Sequence, residues 1–287
     1  MWDRSPAPII IGLLLQLFAC PIRAQTPTCD RLEGAQRKAA EAFLNSQRLY
    51  ACCSDSIAAC LKQKPTCTLA VRLADNLCRR IARGQETEEL LVFLSRRERS
   101  MSPTVKKATI DLKQLPAAGD PQAPVVLVEY ACPRCPYCAK STQIIYEAVV
   151  NGALKGKVKL YFKTFPLSSH RHSKESGLAF IAAAKLGYFW EYALYFFRRF
   201  NQFWVAIQAD WAKAVGMDRE AFSEAMADPA TRDMLIAGKK EGIVNNVDAT
   251  PTYFINSRKY IGDLDKDELV DVLLEEYERV TGIRCRP

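Results

Sequence analysis

Val125-Val126-Leu127-Val128-Glu129-Tyr130-Ala131-Cys132-Pro133-Arg134-Cys135-Pro136-Tyr137-Cys138 is a short apolar run that ends in three cysteines at three-residue spacing. Residues 125–130 are apolar except for Glu129, the single charge, which is the pattern of a buried strand. Residues 139–150 then carry helical periodicity, so Cys135 falls at a helix N-terminus, where unpaired backbone N–H groups and the helix dipole favour a thiolate. Pro136 suits the first helical position, which needs no N–H and takes a preset φ. Cysteines three apart on a helix lie close enough to bridge. The spacing therefore predicts a redox pair, with Cys135 attacking a disulfide and Cys138 resolving the mixed disulfide.

A second frame, Cys132-Pro133-Arg134-Cys135, overlaps the first, and the nearest acid selects between them. Glu129 stands six residues before Cys135, where a carboxylate buried beneath the resolving cysteine can accept its proton. The same offset from Cys132 gives Val126, which has no such chemistry. The bland alternative for Glu129 is a solvent-facing edge carboxylate, but an acid behind four apolar residues is costly to bury without a use. Three cysteines in a row also suggest a metal or iron-sulfur ligand run, yet a fourth nearby ligand is missing. No metal and no cofactor is expected.

Outward from this centre, residues 108–112 and 158–164 read as strands and residues 174–245 as a helical region. Residues 252–255 and 259–261 form a hairpin over Asn256-Ser257-Arg258, and residues 266–280 close the chain as an amphipathic helix. The aromatics between Tyr188 and Trp204 are too many for one helix face, so most belong to a core and part to a groove or an oligomer contact.

Val128-Glu129-Tyr130 before Cys135-Pro136-Tyr137-Cys138, Phe165-Pro166-Leu167 with His170, and Ala249-Thr250-Pro251-Thr252-Tyr253-Phe254 near the end resemble the DsbA-like branch of the thioredoxin superfamily. The resemblance covers about residues 107–281. It implies an α/β thioredoxin fold enlarged by a helical insertion at about 168–246, and a cis Pro251 that faces the cysteines. Thr250 and Pro251 would present backbone to an extended substrate segment, and His170 would take a structural or rim role. The dipeptide Pro136-Tyr137 lacks the histidine of strongly oxidising relatives, so no imidazolium supports the thiolate, and Arg134 is the candidate substitute. Thr250 before the proline also resembles isomerase-like and reductase-like members.

Upstream, Met1-Trp2-Asp3-Arg4, an apolar run from Pro8 to Cys20 and Pro21-Ile22-Arg23-Ala24 have the order of a secretory signal over residues 1–24. Leu17-Phe18-Ala19-Cys20 also resembles a lipoprotein box, which would anchor the chain at Cys20. Eleven cysteines in a chain that carries an export signal point to a periplasmic or otherwise secreted, oxidising compartment. The charge of +8 is spread along the chain, so no nucleic-acid partner is implied.

Residues 25–99 read as a small cysteine-rich all-α module, with helices over 30–50, 54–62, 68–82 and 87–97. Gly84 is expected to stop the third helix and Thr87 to cap the fourth. Cys29, Cys52, Cys53, Cys60, Cys67 and Cys78 suffice for three structural bridges, with 15 connectivities open. A polar linker at 100–106 precedes the thioredoxin domain of 107–287, and Cys132 and Cys285 are left over. The expected function is a thiol:disulfide oxidoreductase acting through Cys135, Cys138, Glu129, Thr250 and Pro251, in the oxidase direction. Its partners would be unfolded or misfolded exported proteins and a membrane redox partner. Open alternatives are an isomerase or reductase kept reduced by that partner, with the first module as a homo-oligomer contact, and a non-enzymatic cysteine-rich binding protein.

Overall fold

A computed structural model describes residues 26–64, 66–102 and 104–282. The signal expected at 1–24, with Cys20, and the leftover Cys285 lie outside the described residues.

Five helices come first: α1 (Pro27–Asp30), α2 (Gly34–Ser46), α3 (Ile57–Cys60), α4 (Thr68–Ala82) and α5 (Thr87–Met101). They close over Ile57, Leu69, Leu73 and Leu77, all essentially without exposure. The disulfides are Cys29–Cys78, Cys52–Cys67 and Cys53–Cys60. A module this small gains much of its stability from such cross-links, the widest of which spans 49 residues.

The helices expected over 30–50 and 54–62 are shorter, as α2 and α3. Gln47 turns extended after Ser46, Arg48 bridges Ser56, and Ile57 N–H donates to Gln47 O, so a closed loop takes the backbone groups that a longer helix would have used. Gly84, at φ +82°, follows the last turn of α4 as expected. The cap of α5 is Glu86, not Thr87. Glu86 is extended and shares a capping box with Glu89, which leaves Thr87 at the first helical position. The same helix runs through Ser100 to Met101, into the stretch expected as linker. Both residues are buried, Met101 packing with Val125 and Leu127 and Ser100 Oγ accepting from Ile261 N–H.

The sheet has five strands, β1 (Ala117–Gly119), β2 (Val125–Ala131), β3 (Val158–Thr164), β4 (Thr252–Ile255) and β5 (Arg258–Lys259), in the order β1-β3-β2-β4-β5. β2 lies at its centre, parallel to β3 and antiparallel to β4. A parallel pair needs a crossover, and α6 (Pro136–Val150) supplies it.

Residues 108–112 are not the expected strand. Ala108, Ile110 and Leu112 do turn one face to the core around Tyr130, Phe165 and Phe254, as their alternation implies. Their backbone bonds go elsewhere, with Asp111 N–H donating to the Glu241 side chain and Thr109 O accepting from Asn245. Ala108 N–H donates to Ser257 O of the hairpin turn, so a turn carbonyl and two side chains take the ladder's place, and the edge strand is β1 instead. The hairpin turn is also tighter than expected. Asn256 and Ser257 both have positive φ, which suits a two-residue turn, so Arg258 already belongs to β5.

The insertion holds α7 (Ser173–Lys185), α8 (Phe189–Arg198), α9 (Gln208–Ala214), α10 (Arg219–Ala227) and α11 (Pro229–Val244). Phe180, Tyr192, Phe196 and Phe222 are its fully buried centre. Most of the aromatic run is therefore core, while Trp204 remains more than half exposed. The last helix, α12 (Lys266–Thr281), packs on α6 and β2 and also meets α4.

Candidate active site

Cys135 is the N-cap of α6, with extended backbone and Pro136 at the first helical position. It is 2% exposed, whereas Tyr137 beside it is 76% exposed, so the turn is reached from solvent over an aromatic ring. Cys132, Cys135 and Cys138 are all free thiols, in contrast to the six paired cysteines of the first module.

The Thr250–Pro251 bond is cis, and this loop faces the cysteine turn. As a thiol, Cys135 donates to Thr250 O at 3.3 Å. As a thiolate it accepts from the Cys138 thiol, which contributes most, from the backbone N–H groups of Cys138 and Tyr137 and from the Thr250 side chain. Together these outweigh burial and hold Cys135 down at about 5. Thr250 Oγ1 is buried with no other partner, which leaves it free for that role. Cys138 is pushed far up instead, by burial first and then by its bond to Cys135 and the charge of Glu129.

Glu129 occupies the centre of β2, fully buried, so the solvent-edge alternative does not hold. Its Oε1 accepts from Thr142 Oγ1 at 2.8 Å and Tyr253 OH at 3.1 Å, while Oε2 is buried without a partner. Burial raises this carboxyl to about 7 against the pull of those hydroxyls. It can therefore gain or lose a proton near neutrality. The sequence assigns neither hydroxyl to Glu129, although each has a signal. Thr142 stands one helical turn after Cys138, and Tyr253 pairs with Glu129 across the β2–β4 ladder.

Arg134 is not the expected substitute for a thiolate-supporting histidine. Its guanidinium lies over the rings of Phe200 and Phe203, at 4.4 and 4.3 Å from their centroids, and donates to Phe200 O. His170 places its Nδ1 3.3 Å from Cys132 Sγ.

A cavity of about 810 Å³ opens beside the pair, lined by Tyr137, Lys140, Ile144, Thr250, Pro251 and Leu264 among others. Its walls are mainly apolar, with Lys140 and Lys266 among the lining residues. Among the described residues no cluster of histidine, cysteine and acidic side chains is suited to hold a metal ion.

The thioredoxin family model matches residues 112–275. Among solved structures, oxidised BdbD from Bacillus subtilis shares 23% identity at a TM-score of 0.54, covering 61% of this chain and 98% of that one. Alpha-DsbA1 of Wolbachia pipientis shares 19% at 0.52, covering 61% and 96%. Among curated proteins, Na(+)/H(+) antiporter NhaA 1 of Mycobacterium sp. (strain KMS) is 30% identical over 159 residues, or 54% of this chain and 25% of that protein. NhaA 3 of Salinispora tropica is 26% identical over 170 residues, or 59% and 25%. The chain thus spans about a quarter of the length of these curated relatives. Among the described residues no helix is long and apolar enough to cross a membrane.

Proposed function

This chain belongs to the thioredoxin family, and from that premise we propose that it is a protein thiol:disulfide oxidoreductase working through Cys135 and Cys138. The observation that carries the reading is the split between the two thiols. Cys135 is held at about 5 while Cys138 is pushed far above its ordinary value. One sulfur is then an anion at neutral pH and the other keeps its proton, which is the division of labour that disulfide exchange needs.

The proposed direction is oxidation. A substrate thiolate attacks Cys135 of the Cys135–Cys138 disulfide, and Cys138 leaves, taking its proton from Glu129. A second substrate thiolate then attacks the substrate sulfur of the mixed disulfide, and Cys135 departs as a stabilised thiolate. Each step breaks one S–S bond and forms another. The substrate ends with a disulfide and the protein with two thiols. Stabilising Cys135 as an anion favours the reduced form, and a stable reduced form makes the disulfide a stronger oxidant.

Thr250 and Pro251 border the cavity beside Cys135, which suits them to hold an extended segment of the substrate. Unfolded or misfolded exported proteins are the proposed substrates, with a membrane protein restoring the redox state.

Equilibration of the Cys135–Cys138 pair with glutathione, followed by mass spectrometry, tests the reading. A potential of about −120 mV is expected, and one of about −200 mV or lower would replace oxidation with isomerisation or reduction. If no pair responds and Cys135→Ser behaves like the wild type, disulfide exchange itself is refuted.

A further inference from the structure

Cys132 is a buried nucleophile that the exchange between Cys135 and Cys138 does not use. We propose that Cys132 is a second resolving thiol, which attacks Cys135 in a mixed disulfide and forms a Cys132–Cys135 disulfide. This rests on the proposed exchange chemistry at Cys135.

Three features of the site support it. Cys135 N–H donates to Cys132 O at 3.0 Å, closing a four-residue turn. Such turns bring their end Cα atoms within about 7 Å, and disulfides span about 4.4–6.8 Å. His170 Nδ1 lies 3.3 Å from Cys132 Sγ, within reach of its proton. Cys132 and Cys135 are 0% and 2% exposed within one apolar cluster, so an attack between them needs no solvent access.

A purely structural Cys132 would act as a small apolar side chain, for which the imidazole contact has no use. Burial raises the Cys132 thiol, backbone N–H groups of Leu167 and Arg134 pull it back, and the charge of Cys135 raises it while that of Lys239 lowers it. Cys138 has the charges of Glu129 and Cys135 added to its burial.

In the proposed step His170 Nδ1 takes the Cys132 proton. The Cys132 sulfur bonds to the Cys135 sulfur as the bond between Cys135 and the substrate breaks. The substrate sulfur leaves as a thiolate and takes up a proton, so one S–S bond is lost and one gained. Attack of Cys138 on Cys135 then restores the Cys132 thiol and leaves the Cys135–Cys138 disulfide.

The test uses the full chain in a Cys285→Ser background, with oxidised glutathione as probe and acid-quenched mass mapping as readout. In Cys138→Ser, the glutathione adduct at Cys135 is expected to convert to a Cys132–Cys135 disulfide. In Cys132→Ser/Cys138→Ser the adduct should persist at least tenfold longer. Adding His170→Ala to Cys138→Ser should slow the conversion while leaving the rate of glutathione adduct formation at Cys135 unchanged. Equal adduct lifetimes in the single and double variants would overturn the role of Cys132 while leaving exchange at Cys135 intact. Absence of any adduct at Cys135 in both variants would instead refute exchange chemistry, and this inference with it.

Discussion

At Cys135 the decisive quantity is the proton. Its thiolate is supported by Cys138, by two backbone N–H groups and by Thr250, and titrates at about 5. In the reduced protein, iodoacetamide should modify one fast thiol with a rate midpoint near pH 5, and Cys135→Ser should abolish that phase. Thr250→Val removes the side-chain donor and should raise the midpoint, as the same alkylation series would show. Glu129 carries the opposite sign. Its carboxyl stays protonated to about 7 in the folded chain against an ordinary 4.5, so the folded state binds more protons between those values. Its contribution is complete below 4.5 and is lost as pH rises toward 7, by roughly 3 kcal/mol. Glu129→Gln should therefore be more stable than the wild type above pH 7 and equal to it near pH 4, as paired urea titrations would reveal. The same variant should resolve mixed disulfides more slowly through Cys138, since no carboxyl is left to exchange its proton.

Elements set the positions of these residues by close packing. β2 is buried almost throughout, which places Glu129 under α6 with no solvent to share. α11 crosses the end of the sheet at Gly242, where an added Cβ would come within 2.5 Å of the Phe165 ring. Phe165 and Tyr130 beside it are 1% and 0% exposed, so neither ring has room to yield. Gly242→Ala should cost about 1–3 kcal/mol through overpacking. A thermal melt that matches the wild type would show that the helix can shift instead. The insertion follows the same logic, with edge-to-face pairs such as Phe180–Phe196 filling the space between α7 and α8.

In the whole molecule the first module is joined to the thioredoxin unit by charge. Arg97 of α5, fully buried, pairs with Glu268, Asp271 and Glu275 of α12. Tyr50 also donates to Glu275, and Arg72 pairs with Asp271. Buried charges of this kind depend on one another, because removing one partner leaves the others desolvated and unpaired. Arg97→Met should destabilise the protein by about 3–5 kcal/mol. In the wild type, circular dichroism and tryptophan fluorescence should report a single unfolding transition. Two separate transitions would show that the module and the thioredoxin unit are energetically independent.

The local patterns in the chain were sufficient for what local chemistry controls. The apolar run 125–130, the Cys-Pro-Tyr-Cys turn with proline at the first helical position, the helix at Thr68–Ala82 and the strand at Val158–Thr164 all follow from periodicity and capping preferences. Glu129 stood out because a lone acid in an apolar strand signals its own cost. Pairings between distant groups carry no such mark. The three disulfide partners, the imidazole at Cys132, the rings around Arg134 and the acids around Arg97 were decided only when the chain folded. Sequence spacing constrains which residues share a face, whereas the partner a buried polar group finds depends on which faces the tertiary structure closes together and dries.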